Sequence, residues 1–425
     1  MLRFLIGRAN RGRSAEAMRA EANTLFDTGR YGEAHELYER LLALHDDPRA
    51  RVNLGYCLLL TGAGGQAEPH FRAALAHSDT APNARVGLGD AAVRRGDHAT
   101  AAAHYREAIT LAPDFAIAHN NLSLSLAALG EFEEAYREAE WRYALSDTRA
   151  FFPHRVALPR WRGESLGARR LLVHWEQGFG DIIQHLRFLP LLRERGARFV
   201  FDCPPPLLPL ARCVARDDEL RAARADGLDV SGFDLAVPLL SLPHVLGITW
   251  STLPHAPYLF AAPARSEALR AAWRSPGRKL VGLAWRSSGF DPARNLGLAE
   301  LLAALDPAPV RYVALQVDLS PEERNVLVAH DAVEGLAAAS DFGETAAALA
   351  AVDWVVSVDT AVAHLAGGMG QPAFILLNEP AAVRWMIGRA DSPWYPTTRL
   401  VRRASNASPR DVMGPVRTAL QSGDA

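Results

Sequence analysis

Four glycines recur at a nearly constant spacing in the first third of this chain. They are Gly29, Gly62, Gly96 and Gly130, which lie 33, 34 and 34 residues apart. Each is followed five residues later by an alanine, and in the first three copies an aromatic residue follows four positions beyond that alanine. Such a period predicts a stack of repeats, each of which buries its apolar face on its neighbour.

This register resembles the tetratricopeptide repeat, a pair of helices, and four copies cover residues 15–148. The resemblance implies that each glycine ends a first helix in a left-handed cap and that the aromatic fills the next interface. In the fourth copy Ala139 stands where an aromatic is expected, and Trp141 and Tyr143 follow. We therefore expect this copy to end the array and to dock onto another part of the molecule.

Stacked helix pairs commonly leave a concave groove that holds an extended segment of another protein. The expected partner of residues 15–148 is thus a protein or peptide. Asn53, Asn120 and Asn121 lie on predicted first helices, where they could clamp a peptide backbone or simply face water. The alternative is a spacer or a dimerisation arm.

Charge and composition exclude several classes of partner. The formal net charge is -2 and the pI is about 6.7, which provides no positive field for nucleic acid. The three cysteines form neither a disulfide framework nor a metal-binding spacing. Residues 1–14 are basic but contain too short an apolar run for a secretory signal, and no stretch is long enough to span a membrane. We expect a cytoplasmic protein.

The pattern changes after a connector at residues 149–167. Short β-rich runs then alternate with helical stretches, which predicts parallel sheets. We expect two Rossmann-type α/β lobes at residues 168–262 and 275–405, followed by a helix and tail at 406–425. The predicted fold is thus an α-solenoid joined to a pair of α/β lobes, with ligands bound where the strands end.

Two strand-to-helix turns carry the candidate chemistry. In the first lobe the loop contains Gln177, Gly178 and Gly180 and leads to Asp181 at a helix N-terminus, where the carboxylate could be a base or only a cap. In the second lobe a buried strand leads to Asp359, Thr360 and His364. The helix that follows directs free amides and its positive dipole end toward a diphosphate or sugar. A capped helix with a packed histidine is the structural alternative.

These turns, together with GLAWRSSG, YVALQ and RWMIGRADSPWYPTTRLVR, resemble glycosyltransferase family nine, the heptosyltransferase type. The resemblance implies a GT-B-like pair of lobes and Asp181 as the base that activates the acceptor. It also implies a set of donor-binding residues and a set that could face the cleft. The donor set is Arg286, Ser287, Arg294, Gln316, Asp359, Thr360 and His364, and the cleft set is Arg384, Trp385 and Trp394.

The resulting expectation is an inverting glycosyltransferase that uses a nucleotide-sugar donor and needs no metal or other cofactor. The acceptor would be a hydroxyl on a protein, for example a bacterial surface or flagellar protein held by the repeat groove. Two departures stand out: the first lobe is short, and LNEPAAVRW lacks an aspartate often found before the arginine-tryptophan pair. The alternatives are a non-catalytic scaffold with a degenerate nucleotide-sugar site, a pure interaction module, and a heptosyltransferase-like enzyme acting on saccharide or lipopolysaccharide.

Overall fold

The structure is a computed structural model that describes residues 15–145, 156–225, 227–287, 294–306, 310–336, 341–404 and 407–422. The chain divides into a repeat unit, residues 1–146, and an α/β unit, residues 147–425. The predicted basic segment 1–14 lies outside the described residues. So do residues 149–155 of the predicted connector and the last two residues of GLAWRSSG.

The repeat unit consists of helices that follow one another in four pairs, as the sequence predicts. They are α1 (Ala15–Asp27), α2 (Tyr31–Leu44), α3 (Pro48–Leu60), α4 (Gly64–Ala74), α5 (Ala81–Arg94), α6 (His98–Leu111), α7 (Ala116–Leu129) and α8 (Phe132–Ala139). Each helix packs on the next, and the first helices of neighbouring pairs also contact one another. The first helices therefore form one layer of the array.

Phe71 shows how the period is enforced by packing. Its ring is fully buried between Gly55 on α3 and Gly87 on α5. A Cβ added at Gly87 would lie 2.3 Å from the ring, and one at Gly55 would lie 2.6 Å from it. Glycine is required at these sites because the aromatic of one pair occupies the surface of the next. The glycine at the end of each first helix has a positive φ, between 76° and 88°, as a left-handed cap requires.

A ladder of polar groups runs along the first-helix layer. Tyr38 Oη donates to Asn23 Oδ1 (2.7 Å), and Asn53 Nδ2 donates to Tyr38 Oη (3.0 Å). Between the third and fourth helix pairs, Asp90 Oδ1 accepts from Tyr105 Oη (2.7 Å) and from Asn121 Nδ2 (3.0 Å). Asn53 and Asn121 thus join neighbouring repeats.

Trp141 is used inside the repeat unit. It lies in a 3-10 turn after α8 and stacks on the His119 ring, with 4.1 Å between ring centroids and 10° between ring planes. His119 Nδ1 is 2.5 Å from Glu138 Oε2, and Nε2 is 2.8 Å from the Pro113 carbonyl. Both ring nitrogens of His119 therefore have a fixed partner. In the terminal repeat, where Ala139 replaces the expected aromatic, the aromatic contact is made by Trp141 on His119.

The α/β unit contains two sheets. The first has the order β3-β2-β1-β4 and is parallel, and the second has the order β10-β11-β9-β8-β5-β6-β7 and is parallel except for the β10–β11 pair. The strands of the first are β1 (Arg170–His174), β2 (Arg198–Cys203), β3 (Leu220–Ala222) and β4 (Leu235–Pro238). Those of the second are β5 (Lys279–Ala284), β6 (Val310–Ala314), β7 (Val333–Glu334), β8 (Trp354–Val358), β9 (Ala373–Glu379), β10 (Asp391–Ser392) and β11 (Tyr395–Ala404).

Helices cover these sheets. They are α9 (Phe179–His185), α10 (Leu189–Glu194), α11 (Leu208–Ala211), α12 (Leu242–Val245), α13 (Pro263–Trp273), α14 (Leu298–Leu305), α15 (Pro321–Ala329), α16 (Phe342–Ala351), α17 (Ala361–Met369), α18 (Pro409–Val412) and α19 (Gly414–Ser422). Strand β8 is buried along its whole length, the pattern expected of a parallel strand covered on both faces.

Residues of the predicted connector and of the predicted C-terminal helix and tail are buried in the α/β unit. Trp161, in the predicted connector, is buried and donates its backbone N–H to the Ala236 carbonyl beside β4 (2.8 Å). Met413 and Val416, in the predicted C-terminal tail, are buried in the core of the second sheet. None of the helices in the described ranges is long and apolar enough to cross a membrane.

The glycine-aromatic packing generates a stability prediction. We expect Gly87→Ala to destabilise the repeat unit by about 1–3 kcal/mol, because the new methyl group overlaps a ring that Gly55 already confines. Hydrogen exchange of peptides spanning residues 48–111 in the full chain measures the loss of protection.

Gly65→Ala is the matched control, since nothing lies within 4 Å of a Cβ at this helical position. It should leave protection unchanged or raise it slightly through helix propensity. Equal protection in the two variants would mean that Phe71 moves aside freely and that the spacing is not set by this contact.

Candidate functional site

The site is built at the points where each sheet reverses its strand order. In the second sheet the chain proceeds outward from β5 to β7 and then returns to add β8, β9 and β11 on the other side of β5. In the first sheet β2 and β3 lie on one side of β1, and β4 lies on the other. Loops that leave such switch points diverge and open a crevice at the carboxyl ends of the strands. The residues after β5 and β8 are therefore placed together in the second sheet, and those after β1 lie at the switch point of the first.

The loop after β1 carries the predicted base. Gln177 has a positive φ of 63°, Gly178 caps α9, and Asp181 lies in the first turn of that helix. Helix α9 packs against α17 of the second lobe. A Cβ added at Gly180 would lie 2.8 Å from His364 Cδ2, so only glycine lets the two helices approach this closely.

The turn after β8 has the predicted capped geometry. Thr360 Oγ1 accepts from the Ala363 N–H (3.3 Å), which caps α17, and it also contacts Ser357 Oγ (3.0 Å). Asp359 and His364 are both buried, and His364 Nε2 is 3.7 Å from Asp359 Oδ1. His364 Nδ1 is 2.9 Å from Tyr395 Oη. The histidine is therefore a fixed element of the turn.

A chain of alternating charges connects the two lobes. Asp181 Oδ1 forms an ion pair with Arg384 Nη1 at 2.8 Å, and Arg384 Nη1 is 3.4 Å from His364 Nε2. Beyond Asp359 the chain ends at Arg294, whose Nη1 is 3.0 Å from Asp359 Oδ2. This last contact does not meet hydrogen-bond geometry, so Oδ2 accepts no hydrogen bond within the described part of the chain. We call these five residues the charge chain.

Burial and neighbouring charge set the protonation of the charge chain. Burial alone would raise the pKa of Asp359, but the contact with His364 and the charges of Arg384 and Arg294 outweigh burial and hold that pKa below its ordinary value. Burial lowers the pKa of His364, and Arg384 adds to this effect. At neutral pH Asp359 is thus a carboxylate and His364 is neutral.

Arg286 and Gln316 follow β5 and β6, as predicted, but bind groups of the protein. Arg286 donates to both carboxylate oxygens of Glu323, from Nε (3.0 Å) and from Nη2 (2.9 Å). Gln316 Oε1 accepts the backbone N–H of Arg286 (3.2 Å), and the Ser287 N–H is bound by Asn295 Oδ1 (2.8 Å). This group shapes the loop after β5, whereas Arg294 and Arg384 belong to the charge chain.

The predicted cleft residues divide into two roles. Trp385 is buried and stacks on His364, with 5.1 Å between centroids, so it supports the charge chain. Arg402 donates to the carbonyls of Trp385 and Met386 (both 2.7 Å), and these bonds fix the loop that carries Arg384. Trp394 is buried and its carbonyl accepts from Arg187 Nη1 (2.9 Å), so this tryptophan packs within the α/β unit.

Two residues of this region, Arg187 and Glu323, were not predicted. Arg187 is buried, donates to the Pro254 carbonyl (2.9 Å) and lies over the Tyr258 ring, so it ties the first lobe to the segment that crosses to the second. Nothing in its sequence context distinguishes it from a surface arginine. Glu323 was detectable, because Ser320 and Glu323 form a capping box at the start of α15. Tyr395 is the partner of His364 at the start of β11.

Within the described ranges, no group of three or more histidine, cysteine, aspartate or glutamate side chains could hold a metal ion. The charge chain offers two carboxylates, two guanidinium groups and a neutral imidazole, next to the capped N-terminus of α17.

The chain therefore combines a tetratricopeptide-repeat array with an α/β unit of two parallel lobes. The tetratricopeptide repeat family model matches residues 19–84 and 86–147. The protein FlbA of Caulobacter vibrioides is 28% identical over 335 residues, which covers 72% of this chain and 54% of FlbA. This chain thus spans about half the length of the curated relative that it matches.

The C-terminal part resembles solved glycosyltransferase structures. One is ADP-heptose lipopolysaccharide heptosyltransferase II from E. coli, with a TM-score of 0.44 and 16% identity, covering 60% of this chain and all of that one (100%). Another is a glycosyl transferase family 9 protein from Veillonella parvula, with a TM-score of 0.42 and 13% identity, covering 57% of this chain and 88% of that one.

The buried histidine of α9 generates a pH prediction. Burial lowers the pKa of His185 to about 4, below the value of about 6.5 for an exposed histidine. Between pH 7 and 5 the unfolded chain therefore binds a proton that the folded chain does not, so acidification destabilises the α/β unit, by about 2 kcal/mol from this residue. Urea unfolding followed by tryptophan fluorescence measures this, because eight of the nine tryptophans lie beyond residue 156.

His185→Gln should remove most of that pH dependence. His330→Gln is the control: both histidines place Nδ1 2.8 Å from the carbonyl four residues earlier, but His330 is exposed. A pH slope that is the same in the two variants would contradict the assignment to His185.

Proposed function

We propose that this protein is a glycosyltransferase that moves a sugar from a nucleotide-sugar donor to an acceptor hydroxyl. The observation that carries the proposal is the charge chain, in which a carboxylate from the first lobe faces cations from the second lobe at the carboxyl ends of both sheets. A base on one side of a crevice and fixed positive charge on the other are what transfer from a diphosphate leaving group requires.

In the proposed reaction Asp181 accepts the proton of the acceptor hydroxyl as its oxygen attacks the anomeric carbon. The bond between that carbon and the diphosphate oxygen breaks, and the diphosphate leaves with the electron pair. Attack from the Asp181 side inverts the anomeric configuration. The base contributes about 10²–10⁴-fold, and stabilisation of the leaving group contributes the larger share.

The leaving group would be held by the second lobe without a metal ion. The free amides at the N-terminus of α17, a nine-residue helix, favour negative charge, and Thr360 fixes the turn that presents them. Arg294 and Arg384 supply guanidinium groups, which bind phosphate oxygens in pairs. Arg286 is the less suitable cation because Glu323 already occupies two of its donors.

The acceptor would be a protein held by the repeat unit in the cytoplasm. The polar ladder occupies the asparagines of the first-helix layer, so recognition falls to side chains that remain exposed on it. Ile117 and Leu124 on α7 are 42% and 47% exposed and lie seven residues apart, which places them on one face of the helix. Exposed apolar residues of this kind suit an extended protein segment.

A second function has an observation of its own in its favour. Asp181 is paired with Arg384, and Arg286 with Glu323, so three groups expected to act on substrate bind each other or the protein. A scaffold that binds a nucleotide sugar without transferring it would have such a site. Transfer assays separate the two functions directly.

Asp181→Asn tests the base. We expect transfer to fall by about 10²–10⁴-fold, because the amide keeps the size of the side chain but cannot accept the proton. Donors are first identified by thermal shift over a panel of nucleotide sugars, transfer is then followed as nucleoside diphosphate release with acceptor, and donor binding by calorimetry.

Donor affinity should not be reduced in this variant, and the comparable exposed pair of Arg389 and Asp391 provides a control. Asp391→Asn should behave as wild type. Wild-type turnover in Asp181→Asn would remove this residue from the reaction, and donor binding without turnover in the wild type would identify the scaffold.

The double substitution Ile117→Asp and Leu124→Asp tests the repeat unit. We expect transfer to the protein acceptor to fall by about ten-fold or more, because two apolar contacts are replaced by charge. Donor affinity should be unchanged. The measurement is the transfer rate at limiting concentrations of an acceptor identified by labelled-sugar incorporation.

Leu44→Asp with Leu111→Asp is the matched control, since both leucines are exposed but end second helices. Equal transfer in the two double variants would favour the spacer or dimerisation alternative.

A further inference from the structure

Arg384 lies at the centre of the charge chain, and one of its nitrogens is shared between two neighbours. Its Nη1 atom is 2.8 Å from Asp181 Oδ1 and 3.4 Å from His364 Nε2. The four charged members of the chain, Asp181, Arg384, Asp359 and Arg294, sum to zero, and His364 is neutral. The site as it stands is balanced, without a cation in excess for a diphosphate.

The second anion of the chain is not free to change its charge. Asp359 is 6% exposed, and its pKa is held low by His364, Arg384 and Arg294 against the effect of burial. Asp181 is more exposed, at 18% of its side chain, and lies on the opposite lobe at the start of α9. Of the two carboxylates, Asp181 is the one that an acceptor hydroxyl can reach and protonate.

We propose that Arg384 is a charge relay: its guanidinium group turns from Asp181 toward the departing diphosphate when Asp181 takes the acceptor proton. This inference rests on the proposed function. Before the reaction, the guanidinium group is paired with the carboxylate of Asp181. After proton transfer, the neutral carboxyl holds the guanidinium only weakly, and one positive charge becomes available as negative charge develops on the leaving oxygen.

The relay joins two halves of a single step. The acceptor O–H bond breaks, its proton goes to Asp181, the new bond to the anomeric carbon forms, and the diphosphate leaves with the electron pair. No other reactant is needed. Arg402 donates hydrogen bonds to the carbonyls of Trp385 and Met386, which fix the backbone beside Arg384. Only the Arg384 side chain therefore has to turn.

The relay is tested by binding of inorganic pyrophosphate to the full chain, measured by calorimetry at pH 7.5. Asp181→Asn imitates the protonated base, so it should tighten pyrophosphate binding by about five- to ten-fold. Arg384→Gln should weaken binding, and in an Arg384→Gln background the Asp181→Asn substitution should bring no gain. If Arg384→Gln does not fold, Arg384→Lys replaces it in the test. Because lysine retains a cation, Asp181→Asn should still bring part of its gain in that background.

The outcomes distinguish the relay from the proposed function. Asp391→Asn removes a carboxylate from the nearby pair with Arg389 and should leave the dissociation constant unchanged. An equal gain in this control, a gain that persists without Arg384, or no gain in Asp181→Asn would each overturn the relay while leaving the diphosphate site in place. Failure of the wild type and of every variant to bind pyrophosphate would overturn the diphosphate site itself, and with it the proposed function.

Discussion

The site depends on the close approach of α9 to α17 at Gly180. With any side chain at this position, a Cβ 2.8 Å from His364 Cδ2 would push the two helices apart, and Asp181 would move away from Arg384. The contact joins the switch point of one sheet to that of the other, so a single glycine determines whether the two half-sites face each other. Arg187, which follows α9, reinforces the same arrangement through its bonds with Tyr258 and the Trp394 carbonyl.

Burying this much charge is favourable only because the charges alternate. Isolated ions lose several kcal/mol of hydration on burial, and a partner must restore it. Each carboxylate of the charge chain has a guanidinium neighbour, and Trp385 and Tyr395 shield the intervening histidine. The result is a site whose stability and chemistry share the same contacts, which explains why replacing one member removes more than one interaction.

The sequence was most informative where local chemistry alone determines structure. The glycine register predicted four helix pairs because a left-handed cap and an aromatic contact are both local requirements, and the residues after β1 and β8 were predicted because parallel strands end at one edge. It was least informative about partners. Arg286 pairs with Glu323, and Arg187 is buried against the Pro254 carbonyl. Asn53 and Asn121 form hydrogen bonds across repeats. Each of these contacts depends on a side chain or carbonyl that a distant segment of the chain brings into reach. The short strands β3, β7 and β10 have two or three residues each, too few for a periodic pattern.

The repeat unit and the α/β unit divide specificity in different ways. In the repeat unit, polar groups that could bind a partner are already used to hold repeats in register, since Asp90 accepts from both Tyr105 and Asn121. In the proposed function, selectivity falls on exposed side chains such as Leu124, which can change without loss of the fold. In the α/β unit the reverse holds, because Asp359 and His364 are buried in the turn that they support. In the proposed function, substitution at the repeat surface would redirect the choice of partner, whereas substitution in the charge chain would alter folding and chemistry together. The proposed chemistry is thus the constrained part of this molecule, and the choice of acceptor is the adaptable part.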